Sequence, residues 1–348
     1  MEERWRRLSG HLFREIEAEG TRYRYFGGTA YLGIPQHAAF RELYLEGLRR
    51  FGLNNGTSRN NNIQLGIYDE AEQVAAKRFD APAALITSSG YHAAQLTIRC
   101  LTERGTVRYA PATHPALWKD QQPATKGSFA SWANKLIDEI NKSEEQNWVI
   151  ISNSVNNLFP EVYDFSFLKA VHGDRRIILI VDDSHGIGII NKGKGAFLTL
   201  PETAKVSCIV IASMAKALGV DAGLVLGSPP VIEQLKQTHG FLGASPPSAA
   251  GLFAFIQGGT IYDNEWKILN QLTEKLAAEL TGRQDWSFSP QFPVFLSKNP
   301  NIAEQLLDQK ILISSFPYPD KNGNPINRIV LSSWHTPADI EELILALK

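Results

Sequence analysis

The sequence predicts an α/β protein, with a mostly parallel central sheet in a large domain and a smaller α+β domain at the C-terminal end. Two patterns carry that expectation. Short apolar runs alternate with amphipathic helical stretches through the middle of the chain, as buried strands and their crossover helices do. Near residue 239 this alternation gives way to longer helical patterns around weaker strand candidates. The expected division is an N-terminal segment over 1–35 that packs with the small domain, a large domain over 36–238 and a small domain over 239–348.

The elements follow in order. The opening "MEERWRRLSGHLFREIEAEG" is charged and helical in pattern, and it lacks the apolar centre of a signal peptide. "DEAEQVAAKRF" places Ala71, Val74, Ala75 and Phe79 on one helical face. "AALIT" (83–87), "WVIIS" (148–152), "IILIV" (177–181), "CIVIA" (208–212) and "GLVLG" (223–227) read as buried strands. The Gly and Pro residues of "HGFLGASPPS" (239–248) interrupt regular structure and mark the domain boundary. Helical patterns near 265–281 and 302–310 then surround strand candidates near 292–296 and 327–332. The chain closes on "HTPADIEELILALK", where Thr336 caps a helix, Pro337 suits its first position and Asp339 stands three after the cap.

Composition narrows the function classes. The chain has 348 residues and a formal net charge of −1, which favours neither a polyanion nor a membrane surface as partner. Cys100 and Cys208 both lie in apolar runs and read as buried free thiols of a reducing compartment. No apolar run reaches membrane-spanning length, so the expected address is the cytoplasm.

"VDDSHGIGII" (181–190) puts two carboxylates and a histidine where a buried strand runs out, a costly place for charge without a use. A metal site lacks a further His or Cys cluster nearby. Ser184 between Asp183 and His185 is a poor clue to a triad, whose members meet in space and not in sequence. "GIINKGK" falls short of a phosphate-binding loop, since Gly195 stands where Ser or Thr belongs. Loop residues satisfied by caps would also explain the segment taken alone. Other segments change the balance. Thirty-four residues after Asp182, Lys216 leaves an apolar strand in "IASMAKALG"; burial lowers a lysine pKa, and a neutral amine forms Schiff bases. "TSSGYHAA" (87–94) joins a strand to a helix through small residues whose N–H groups suit a phosphate. "APATHPALW" sets His114 in a turn. A phosphate cradle, a ring stacker, a strand-end aspartate and a buried lysine together describe a pyridoxal phosphate site.

The sequence resembles the α-oxoamine synthase family, fold type I enzymes that use pyridoxal phosphate to join an amino acid to an acyl-CoA. "AYLGI" is similar to the family's "NYLGL", "SSGYHAA" to "SSGYxAN" and "VDDSHGIGIINKGKGAF" to "VDDAHGxGxxGxxGRG". "GTSRNNNIQLGIYDEAE", "ASMAKALGVDAG" and "NRIVLSSWHTPADI" follow further family runs in the same order. The resemblance implies that Lys216 carries the cofactor and later moves the substrate's α-proton, and that Asp182, rather than Asp183, keeps the pyridine nitrogen protonated. It implies that His114 stacks on the ring and that His185 lies near the ring hydroxyl or the substrate. Ser89, Gly90 and Tyr91 are expected to cradle the phosphate through backbone N–H groups, and Ser213 to add a hydroxyl. Asn157 is a candidate partner of the ring hydroxyl. Arg328 is expected to clamp the substrate carboxylate.

The sequence also departs from the family. Ala30 and Ala94 replace asparagines, Tyr68 replaces a histidine, and Leu242–Gly243 replace a Ser–Thr pair. Asn153 and Asn157 lie in "SNSVNNLFPEVYD", where relatives have "TEGVFSMDGD". The expected protein is a homodimer with shared active sites that condenses an amino acid with an acyl-CoA. An aminotransferase on the same fold and a catalytically inactive partner subunit are the alternatives.

Overall fold

The computed structural model describes residues 3–318 and 322–348, so Met1 and Glu2 of the expected N-terminal segment lie outside the described residues. The chain divides into two compact units. One comprises 1–38, 157–162 and 260–348, and the other comprises 39–156 and 163–259. The Gly- and Pro-rich stretch 239–248 therefore lies inside the second unit. The helix Ala249–Gln257 that follows it packs on the helix Ile67–Arg78 and stays with that unit.

The second unit is built on a six-stranded sheet in the order Ala83–Thr87, Gly223–Gly227, Val206–Ser213, Arg176–Asp182, Asn147–Asn153, Thr106–Tyr109. Five strands run one way, and Gly223–Gly227 is antiparallel to both its neighbours. The loop from Ser213 to Gly223 is too short for the crossover a parallel partner requires. Each of the five apolar runs read as a strand is one. The helix Gly90–Leu101 packs on the strands Val206–Ser213 and Gly223–Gly227, joined by Pro229–Lys236. Leu85, Ile98, Ile151, Ile180, Ile209 and Val225, all essentially without exposure, form the centre of this core. The face expected on Ile67–Arg78 is apolar, with Ala71, Ala75 and Phe79 fully buried and Val74 half-buried. Cys208 is buried as expected, whereas Cys100 is half-buried, and both are free thiols.

The first unit carries its own six-stranded sheet, ordered Glu15–Ala18, Thr21–Phe26, Ile311–Pro317, Pro325–Val330, Val294–Ser297, Trp286–Phe288. The helical reading of the N-terminus is corrected here. Only Glu3–Arg6 is helical, as one 3-10 turn, and the charged stretch beyond forms a hairpin. Glu19 and Gly20 both adopt positive φ, 52° and 74°, the geometry of a two-residue turn that matches strand twist. The helix Pro337–Ala346 has the capping box read from its sequence: Thr336 Oγ1 accepts from the Asp339 N–H, and the Asp339 carboxylate accepts from the Thr336 N–H. Asp339 is fully buried and also meets the guanidinium of Arg24. Among the described residues no helix is long and apolar enough to cross a membrane.

Candidate active site

The candidate site residues of the second unit gather at the C-terminal ends of its parallel strands, where α/β sheets open their ligand crevices. Asp182 ends its strand, with Asn153 as its partner on one side and Ile211 on the other. Its Oδ1 accepts the Ser184 N–H at 2.9 Å, and Ser184 Oγ accepts the Ser213 N–H at 2.8 Å. Ser184 thus ties the aspartate turn to the end of the next strand, a role read from its sequence position neither as triad member nor otherwise. Lys216, half-buried three residues past Ser213, has its pKa held below the usual lysine range by burial, with the Asp182 charge opposing that effect.

His114 lies within the same electrostatic neighbourhood. Its residue surface is exposed, yet enough protein surrounds the ring to hold its pKa below the ordinary histidine value; Asp182 opposes this shift and Lys216 adds to it. The ring Nδ1 accepts the Ala116 N–H at 3.1 Å, so the neutral imidazole carries its proton on Nε2. His185 stands half-buried in the turn after Asp182.

The two adjacent aspartates have opposite surroundings. Asp183 has no exposure, and burial pushes its carboxyl up to about 7 despite the bonds it accepts from Ser154 Oγ and the Ala196 N–H. A Cβ on Gly186 would lie 2.1 Å from one Asp183 oxygen, and one on Gly195 would lie 2.5 Å from the other. Asp183 therefore organises the 183–196 loop from inside.

The strand-to-helix junction has the form of an anion cradle. Ser89 caps the helix Gly90–Leu101, its Oγ accepting the His92 N–H at 3.1 Å. The N–H groups of Gly90 and Tyr91 in the first turn lack intrahelical acceptors. Tyr91 is 64% exposed. A Cβ at Gly90 would meet the Ser213 Cβ at 2.6 Å, so glycine lets Ser213 come against the helix start. Among the described residues no cluster of His, Cys, Asp and Glu could hold a metal.

Arg328 belongs to the first unit. It sits mid-strand, opposite Leu296 and Ser314, and is only 6% exposed, which rules out a solvated strand arginine. Its Nη1 donates to the Asn157 carbonyl, its guanidinium lies 5.2 Å from the Phe316 ring centre, and its buried Nε has no partner among the described residues. Burial lowers its pKa, and the neighbouring Tyr31 hydroxyl counters that. The bond that joins Asn157 to Arg328 comes from the Asn157 backbone. Tyr31, 1% exposed, is a second member of this cluster and gave no sign of it in the sequence.

The aminotransferase class I and II family model matches residues 30–347. The 8-amino-7-oxononanoate synthase of Nitrosomonas europaea is 24% identical over 366 residues, covering 98% of this chain and 93% of its own. That of Saccharophagus degradans is 26% identical over 350 residues, covering 95% and 88%. Among solved structures, serine palmitoyltransferase from S. paucimobilis with a bound PLP–myriocin aldimine superposes with a TM-score of 0.80 at 17% identity, over 97% of this chain and 90% of that one. The 8-amino-7-oxononanoate synthase of Francisella tularensis gives 0.72 at 20% identity, over 93% and 97%.

Proposed function

The chain belongs to the aminotransferase class I and II family and has the fold type I architecture of the solved synthases it resembles; on that premise we propose that it is a pyridoxal phosphate-dependent acyltransferase joining an amino acid to an acyl-CoA, with loss of the α-carboxylate as carbon dioxide. The observation that supports this reading is the grouping at the strand ends: Asp182 held by the Ser184 N–H, Ser184 tied to Ser213 three residues before Lys216, and Ser213 close against the start of the Ser89-capped helix Gly90–Leu101. Relatives that cover nearly the whole chain and are named as synthases favour acyl transfer over amino transfer.

The residues fit the cofactor. The desolvated Lys216 amine suits attack on an aldehyde, because burial favours its neutral form. The N–H groups of Gly90 and Tyr91, with the Ser89 and Ser213 hydroxyls, suit the phosphate. Bound pyridoxal phosphate supplies a cationic ring that accepts the electron pair left when the substrate's α-proton departs. In this assignment Asp182 keeps the proton on the pyridine nitrogen, and its orientation is fixed by the Ser184 N–H. Lys216 takes the α-proton on Nζ. His114 covers one ring face, while His185 and Asn157 serve the ring hydroxyl. Arg328 has the part of substrate-carboxylate clamp that the family resemblance implies, and its Nε has no partner among the described residues. A homodimer in the cytoplasm completes the proposal.

The test starts with purified protein and pyridoxal phosphate, which should give a yellow complex that borohydride fixes at Lys216. Amino acids are then screened with and without acyl-CoA of varied chain length. Release of free thiol that requires both substrates supports the acyltransferase. Accumulation of pyridoxamine phosphate without thiol release would replace it with an aminotransferase, and a yellow protein with no turnover would point to a partner subunit.

A further inference from the structure

Asn153 ends the strand Asn147–Asn153 and stands opposite Asp182 in the register of the sheet. Both polar atoms of its side chain bond to one short turn. Nδ2 donates to the Ala112 carbonyl at 2.7 Å, and Oδ1 accepts the His114 N–H at 3.2 Å. That turn needs holding. Ala112 has a positive φ of 56°, a left-handed conformation that costs a residue with a Cβ about 1 kcal/mol. His114 follows in extended conformation, and among the described residues its ring is fastened through Nδ1 to the Ala116 N–H alone. A carboxylate at position 153 would accept from His114 but repel the Ala112 carbonyl; an aliphatic side chain would serve neither end. The amide alone offers one donor and one acceptor at this spacing. It also adds no charge, so that Asp182 is the carboxylate that acts on the His114 ring.

We propose that Asn153 is the positioning residue for His114: one side-chain amide pins both ends of the Ala112–His114 turn and so presents the imidazole beside Asp182 and Lys216. The role of that imidazole against the cofactor rests on the function proposed above, whereas the pinning of the turn does not. The substitutions Asn153→Ala and Asn153→Asp separate the contributions. The first removes both bonds. The second is isosteric, keeps the acceptor and loses the donor, and remains informative should the alanine variant fold poorly.

Two readouts test the proposal. In the protein without cofactor, the His114 imidazole is followed by NMR titration, its resonance identified by its loss in His114→Asn. Asn153→Ala should move the His114 midpoint up toward the ordinary histidine value as the ring swings into solvent. Asn153→Asp should raise it at least as far by bringing a second carboxylate near. In the protein with pyridoxal phosphate, Asn153→Ala should weaken cofactor binding about tenfold and diminish the visible circular dichroism of the bound ring. In a His114→Ala background the same substitution should change binding by less than about twofold, since Asn153 acts through His114. An unmoved His114 titration in both variants overturns the proposal. So does an undiminished effect of Asn153→Ala in the His114→Ala background. A wild-type protein that binds no pyridoxal phosphate would end the proposed function while leaving the titration to judge Asn153.

Discussion

Lowering the pH from 6.5 to 4 should cost this protein about 3 kcal/mol through His335 alone. The ring is 3% exposed and stacks on Phe26, with centroids 4.4 Å apart and planes 18° from parallel. Its Nδ1 accepts the Ser332 N–H at 3.0 Å, and its Nε2 lies 2.9 Å from the Tyr25 carbonyl. The neutral ring with its proton on Nε2 satisfies both. Burial pushes the pKa from 6.5 down to about 4, and the nearby Arg24 and Arg14 charges push the same way. Above pH 6.5 both the folded and unfolded chains hold the ring neutral, so the contribution is level. Between 6.5 and about 4 the unfolded chain binds a proton that the folded one refuses, and stability falls with pH at up to about 1.36 kcal/mol per unit. The interval from 6.5 to about 4 spans about 2.5 units, hence the figure of about 3 kcal/mol. Below about 4 the loss is complete. Denaturant unfolding of wild type and His335→Gln across this range isolates the effect, because glutamine keeps a donor for Tyr25 and does not titrate. The variant should start about 1–2 kcal/mol less stable at pH 7.5, from lost stacking and one lost bond. The gap should then close or reverse by pH 4.5. Parallel curves for the two proteins between pH 6.5 and 4.5 would refute the buried neutral histidine.

Asp183 predicts the opposite slope: its folded pKa of about 7 lies above the unfolded value of 3.8, so its contribution is full below 3.8 and is lost as pH rises through 7, and Asp183→Asn should abolish that component in pH-dependent unfolding. Asp182→Asn should lower turnover at least about 100-fold while pyridoxal phosphate still binds, measured by steady-state kinetics beside cofactor absorbance; equal loss of binding and turnover would remove Asp182 from the ring nitrogen. Gly90→Ala brings a Cβ within 2.7 Å of the Ser213 Cα, so cofactor titration should show binding at least about tenfold weaker, and unchanged affinity would mean the cradle lies elsewhere. Arg328→Lys loses the planar fork, and the amino-acid KM should rise about 10- to 100-fold with cofactor affinity unaltered; an unchanged KM would exclude Arg328 from the substrate carboxylate.

The central sheet was legible because burial on both faces writes a strand as an unbroken apolar run. "AALIT" and "GLVLG" end where the strands end, "WVIIS" misses the polar Asn147 and Asn153 at its tips, and "CIVIA" stops short of Val206, Ser207 and Ser213, because Ser207 interrupts the apolar run. The edge strand Thr106–Tyr109 escaped notice because it is four residues long and half-buried throughout, with Arg108 in its middle. The N-terminal hairpin escaped for a different reason. Its charges imitate a solvated helix, and besides Glu15 across the hairpin Arg24 meets the carboxylates of Asp339 and Glu342, far along the chain. No local window contains the pairings with Asp339 and Glu342.

The doubled aspartate shows where local reading of a site stops. "VDDSHG" says that charge is placed at a strand end, but the two carboxylates are chemically identical and adjacent, and spacing cannot assign them. Their surroundings do. Asp183 turns into a space that only glycine at 186 and 195 leaves open and takes its partners from Ser154 and Ala196, 29 and 13 positions away. With its neighbour thus committed to holding the loop, Asp182 is the carboxylate whose charge acts on His114 and Lys216, and its Oδ1 is held by the Ser184 N–H. A carboxylate with no exposure next to one whose charge acts on a lysine is therefore one device. The buried member fixes the backbone, so that the other can carry charge at a defined place without the flexibility of a free loop.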